Sequence, residues 1–204
     1  MAIPAKQLPS CLEKRWSCYE FANQVLRLNL GAKAIEEWDR LWQITLQFLP
    51  DSHWAPEIIP YHYFLIANFL EKTALPYKFW SRLDIYNARV GDILIYQGID
   101  YEPDPSKRPS TAAPESHIAF IDSILESNGQ KIVLQVIDAS SRVKGRCFDP
   151  SNKSNVPKKP GTVAYSFLTL NFLEKIGEQT IWKARFEQQY TKYLTVQVLR
   201  VTQF

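Results

Sequence analysis

The spacing of apolar side chains changes once along this chain, and that change restricts the available folds more than any other feature. Up to about Lys78 the apolar residues recur at helical intervals. Phe21, Ala22, Val25, Leu26 and Leu28 predict a helix over 18–30, with Gly31 placed to terminate it, and similar patterns cover 33–49 and 61–72. From Val90 onward the interval is two. That predicts strands at Asp92–Tyr96, His117–Ile124, Lys131–Asp138, Thr162–Leu170 and Tyr193–Val201. Helices first and strands second predict an α+β fold, with N-terminal helices packed on an antiparallel β-sheet. Two proline-bearing segments, about 98–116 and 139–161, read as irregular loops. At 204 residues a single domain over 1–204 is expected, with a helical insertion at about 33–80.

Composition narrows function mainly by exclusion. Only 7 residues are glycine, no two are separated by a single residue, and no G-x-x-x-x-G-K-[ST] element occurs. The phosphate-cradling loops of the common nucleotide-binding folds are therefore not expected. A net charge of +3, from 24 basic and 21 acidic residues, is too small to imply a nucleic-acid partner. Apolar runs such as Phe64-Leu65-Ile66-Ala67 are too short for a membrane span. Met1–Lys6 opens no apolar signal stretch, so a cytoplasmic location is the default expectation. Three cysteines without close spacing suit neither a disulfide framework nor a zinc ribbon. With three histidines, they leave nine possible Cys–His pairings.

Local chemistry distinguishes Cys18. Ser17, followed three residues later by Glu20, forms a capping-box pattern that makes Ser17 the N-cap and Cys18 the first helical residue. Trp16 and Phe21 have the spacing of a hydrophobic staple across the same helix start. Unpaired N–H groups and the positive end of the helix dipole favour thiolate over thiol there, and the same groups can receive an oxyanion. The competing reading is a small core residue, because Cys18 shares a stripe with Ala22, Val25 and Leu26. Cys11 and Cys147 have no comparable setting.

Strand register distinguishes His117. If Asn128-Gly129 form a two-residue hairpin turn, paired residue numbers sum to 257, so His117 faces Ser140 and Asp138 faces Ala119. His117 and Asp138 then become diagonal neighbours on one face, within side-chain hydrogen-bonding reach. An aspartate ending the apolar stripe Ile132, Leu134, Val136 needs such a partner. The competing reading is a pair that merely fastens a hairpin. His53 and His62 lack a carboxylate partner and read as packing or surface residues.

A helix-opening cysteine, then Gly91-Asp92 leading a strand, then His117-Ile118-Ala119-Phe120-Ile121 and Asp138, is an order that resembles the papain-like superfamily containing the NlpC and CHAP amidases. Cys18-Tyr19-Glu20-Phe21-Ala22 with Leu28-Asn29-Leu30-Gly31 is similar to CHAP amidase domains such as that of glutathionylspermidine synthetase/amidase. The resemblance implies a papain-like fold and a Cys18, His117, Asp138 triad without metal or cofactor. Cys18 would attack an amide carbonyl, His117 act as base and then acid, and Asp138 orient His117. The Cys18 N–H would contribute to the oxyanion hole. The resemblance also implies a bacterial source and a small peptide or cell-wall fragment as substrate: peptidoglycan stem peptides or related γ-glutamyl-type amides. Alternatives are an acyltransferase, thioesterase or lipid hydrolase on the same scaffold, or a catalytically inactive binding domain. The basic segment 142–159 carries one aromatic, Phe148, and reads as a solvated loop rather than a nucleic-acid platform.

Overall fold

The computed structural model describes residues 17–47, 60–73, 77–99, 116–139, 146–149, 154–157, 163–186 and 190–202. Among these residues three helices come first: α1 (Cys18–Asn29), α2 (Ala32–Leu46) and α3 (Pro60–Lys72). Each of the first two buries one stripe, Phe21, Ala22, Val25 and Leu26 on α1 and Ala34, Trp38 and Leu41 on α2. Gly31 does not end α1 in a left-handed turn. With φ at −70° it is the N-cap of α2, and the Leu30 N–H closes α1 on Leu26 O at 2.9 Å.

Nine strands follow among the described residues: β1 (Trp80–Leu83), β2 (Ile93–Ile99), β3 (Ser116–Ser127), β4 (Lys131–Ala139), β5 (Arg146–Asp149), β6 (Ser154–Pro157), β7 (Val163–Ile176), β8 (Gln179–Phe186) and β9 (Tyr190–Val201). Their order is β1-β9-β2-β3-β4-β7-β5-β6, and β8 pairs with both β7 and β9. Every pairing is antiparallel. Six strands, β2, β3, β4, β7, β8 and β9, therefore close into a ring, with β1 appended to β9 and the β5–β6 hairpin to β7.

Closure gives every ring strand an inside and an outside, and the sequence alternation fills both. Leu94, Ala119, Ile121, Leu134, Val136, Leu168, Trp182, Ala184, Leu194 and Val198 point inward and pack together, drawn from all six strands. Ile93, Ile95, Ile118, Phe120, Ile137 and Leu199 point outward into a second core shared with the helices. There the Phe21 ring meets Phe120 edge-on, and Trp38 stacks on Trp80 with centroids 4.3 Å apart.

This overturns the expected α+β, papain-like arrangement of N-terminal helices packed on an antiparallel sheet. The molecule is a β-rich fold whose sheet is a closed barrel with its own interior, and the helices cover one outer flank. The strand that decides the matter is β8. The positive φ of 59° at Gly177 allows a two-residue turn with Glu178, which folds β8 back on β7. β8 then meets β9 along its other edge and completes the ring. The segment expected to be an irregular loop over 139–161 also contains β5 and β6. Most of the other expected loop, 100–115, lies outside the described residues, as do Cys11, Trp16 and His53.

Candidate active site

Helix capping places Cys18. Ser17 Oγ accepts the Glu20 N–H at 3.2 Å, and Glu20 Oε2 accepts the Ser17 N–H at 2.8 Å, so the capping box is complete. Neither bond uses the Cys18 N–H. The thiol is free and half-buried at the first turn of α1. The buried stripe of α1 begins with Phe21, one turn further on. Cys18 thus stands at the end of the core stripe rather than inside it.

His117 reaches the site through a register that differs from expectation at the turn and agrees with it at the functional end. The Asn128 N–H bonds Lys131 O at 2.9 Å, so the two turn residues are Gly129 and Gln130 rather than Asn128 and Gly129. Paired numbers sum to 259 at Ser127↔Ile132 but to 257 at Phe120↔Ile137. Two irregularities, between Ile124 and Glu126 and between Ile121 and Ser123, each absorb one residue of β3. The same diagonal relation results. His117 Nε2 lies 2.7 Å from Asp138 Oδ2, with the two side chains 17% and 8% exposed.

With Nε2 taken by Asp138, Nδ1 is the ring nitrogen left for Cys18, the second hydrogen-bond partner of His117. Burial opposes the imidazolium. The hydrogen bonds to Asp138 and Cys18 and the charges of both outweigh it, and the His117 pKa is pushed up from 6.5 to about 10. Structure therefore brings Cys18, His117 and Asp138 together.

Several neighbours complete the site without having been singled out from sequence. Ser166 on β7 donates to Asp138 Oδ1 at 3.4 Å, giving the buried carboxylate a partner on each oxygen. Tyr96 stands directly opposite His117 on β2, with ring centroids 5.0 Å apart. Tyr63 on α3 is fully buried and donates to Asn23 Oδ1 at 2.7 Å. Burial raises its pKa well above the ordinary value and the Cys18 charge adds to this, so Tyr63 remains a protonated donor near the thiol. Ser166 is visible in sequence only as the polar start of the inward stripe Ser166, Leu168, Leu170. Tyr96 could be paired with His117 only if the β2–β3 register were known.

The remaining motif residues have structural work. Gly91, at φ 90°, donates to Ile121 O at 2.7 Å, and Asp92 O accepts the Ile121 N–H at 2.9 Å. The buried Asp92 carboxylate accepts Arg200 Nε at 2.9 Å and Nη2 at 2.7 Å, and the Arg89 N–H at 2.7 Å. Gly91-Asp92 thus locks β2 to β3 and β9 at the end of β2 opposite Tyr96. His62 is buried on α3 beside Trp42. Among the described residues no group of three or more His, Cys, Asp or Glu side chains could hold a metal ion. No described helix is long and apolar enough to cross a membrane.

Comparison of the chain with protein-family models, with curated proteins and with solved structures finds no match. The functional reading accordingly rests on the geometry of Cys18, His117 and Asp138.

Proposed function

We propose that the protein is a cysteine-dependent amide hydrolase. The observation that carries this reading is the bridging of Cys18 and Asp138 by one imidazole, with Cys18 at a helix N-terminus. In the proposed cycle sulfur and imidazole act as an ion pair, with the nucleophile charged before substrate arrives. The thiolate attacks the amide carbonyl carbon, and the oxyanion forms beside the first turn of α1, where the Cys18 N–H is outside the capping box. The C–N bond then breaks, the imidazolium gives its proton to the departing amine, and a thioester remains on Cys18. Neutral His117 next removes a proton from water. The hydroxide attacks the thioester, the acid is released and the thiolate–imidazolium pair returns. Asp138 keeps Nδ1 aimed at sulfur and stabilises the cation throughout, the orienting role of the acid in hydrolase triads.

The order Cys18, Gly91-Asp92, His117, Asp138 resembles that of NlpC and CHAP amidases, and on that resemblance alone we propose peptidoglycan stem peptides or related γ-glutamyl-type amides as the substrate class. The test is incubation of the protein and of Cys18→Ala with muropeptides, γ-glutamyl amides and glutathionylspermidine, with products weighed by mass spectrometry. Cleavage by the parent and none by the variant is expected. Cleavage that survives the substitution would overturn the mechanism.

A further inference from the structure

We propose that Tyr96 is a positioning residue for His117, its ring lying against the imidazole at the end of the barrel and stabilising the imidazolium. This rests on the reading of Cys18 and His117 as nucleophile and acid–base.

Alternation along the ring strands carries the proposal. Tyr96, His117, Asp138, Ser166 and Phe186 come from β2, β3, β4, β7 and β8 and stand at the same end of the ring. The first two are directly paired, Tyr96↔His117. Beneath them lies the apolar interior, beginning with Leu94, Ala119, Val136, Leu168 and Ala184. His117 thus stands at the edge of a packed wall and not on a loose loop. His117 is hydrogen-bonded to Asp138, with Nε2 2.7 Å from Oδ2, and to Cys18. What remains are the two faces of the ring, and Tyr96 lies against the imidazole with centroids 5.0 Å apart and planes 38° from parallel. The Phe186 ring packs on Tyr96 with centroids 5.5 Å apart, so the tyrosine ring is itself held.

Two physical effects follow. A ring against the imidazole blocks the χ2 rotation that would exchange its nitrogens, which keeps the acid proton aimed at the substrate amine. A cation within about 6 Å of an aromatic centroid is also attracted by the ring quadrupole. Among the described residues, the titratable groups placed against His117 are Cys18 from α1, Asp138 from β4 and the Tyr96 phenol from β2. Ser166 from β7 and Phe186 from β8 are uncharged. Asp138 and Cys18 act through hydrogen bonds and charge, and Tyr96 acts through its ring. The contribution of Tyr96 therefore separates from theirs by substitution.

The experiment uses the full chain with isotope-labelled histidine, the His117 signal being assigned by its loss in His117→Gln. In Tyr96→Phe, which keeps the ring, the His117 titration midpoint stays within about 0.2 units of the parent. In Tyr96→Leu it falls by about 0.5–1 unit, the pKa equivalent of a cation–π contact. Cys18 alkylation near neutral pH slows with it. Should the leucine variant unfold, phenylalanines carrying one, two or three ring fluorines at position 96 preserve shape while weakening the quadrupole, and the midpoint falls stepwise. An unchanged midpoint in Tyr96→Leu, or no dependence on fluorination, overturns the proposal. None of these readouts requires a substrate. Failure to cleave any amide would count against the hydrolase reading alone, and an unmoved midpoint against the role of Tyr96 alone.

Discussion

The two halves of the candidate site are placed by two cores of different construction. Cys18 belongs to the helix flank, where its position follows from contacts within a few residues: a capping box from Ser17 to Glu20 and a buried stripe beginning at Phe21. His117 and Asp138 belong to the barrel end, where position follows from pairings 21 residues apart and from closure of the ring by β8. Local rules place Cys18, and register places His117. The site lies where the two cores meet on β3, whose Ile118 and Phe120 face the helices while Ala119 and Ile121 face the barrel interior.

The largest effects should separate the two cores. Trp38 in the helix flank and Trp182 in the barrel are 4% and 1% exposed. Truncation of either to alanine should cost about 3–5 kcal/mol in urea denaturation. Amide exchange should tell them apart: Trp38→Ala loses protection first in α2 and α3, Trp182→Ala across the six ring strands. Equal loss everywhere would mean the two cores open as one unit.

Removing the in-plane charge comes next. Asp138→Asn should lower amide cleavage on the order of 10²–10⁴-fold and bring the His117 midpoint down from about 10 toward 6.5, read by rate assays and histidine NMR. Stability should change as well. His117 binds its proton more tightly in the folded state than in the unfolded chain, so its stabilisation is complete below pH 6.5 and is lost as pH rises through about 10. Denaturation midpoints measured from pH 6 to 10 should fall in the parent and fall less in Asp138→Asn.

Smaller effects sharpen the same contrast. Ser166→Ala removes one donor from a buried carboxylate and should slow cleavage about fivefold, equivalent to about 1 kcal/mol, with the His117 midpoint displaced. Ser17→Ala removes the N-cap and should cost about 1 kcal/mol of stability while leaving that midpoint unmoved. A reversed pattern, with Ser17→Ala moving His117, would erase the distinction between the two cores.

The same contrast explains what could be read from sequence. The helices over 18–30, 33–49 and 61–72 are matched by α1, α2 and α3 because amphipathic spacing and caps are local signals. The His117–Asp138 relation came from a hairpin whose turn is displaced by one residue, and two irregularities in β3 restore the register before it reaches His117. The fold class was not legible. β8 alternates Ile181, Lys183, Arg185 against Trp182, Ala184, Phe186, and nothing in that pattern states that both its edges are paired. Tyr96 and Ser166 were missed for the same reason, since their partners lie across ladders whose register no local motif announces.

The claim that Cys18 and His117 act as a nucleophile with its acid–base is tested most directly by cysteine alkylation. Iodoacetamide is applied at pH 6 to the full chain and to His117→Gln, and modification at Cys11, Cys18 and Cys147 is followed by peptide mass spectrometry. The ion pair predicts fast modification at Cys18 in the parent, little at the other two, and loss of that selectivity in the variant. Equal rates at all three cysteines in the parent, or selectivity that survives His117→Gln, would contradict it.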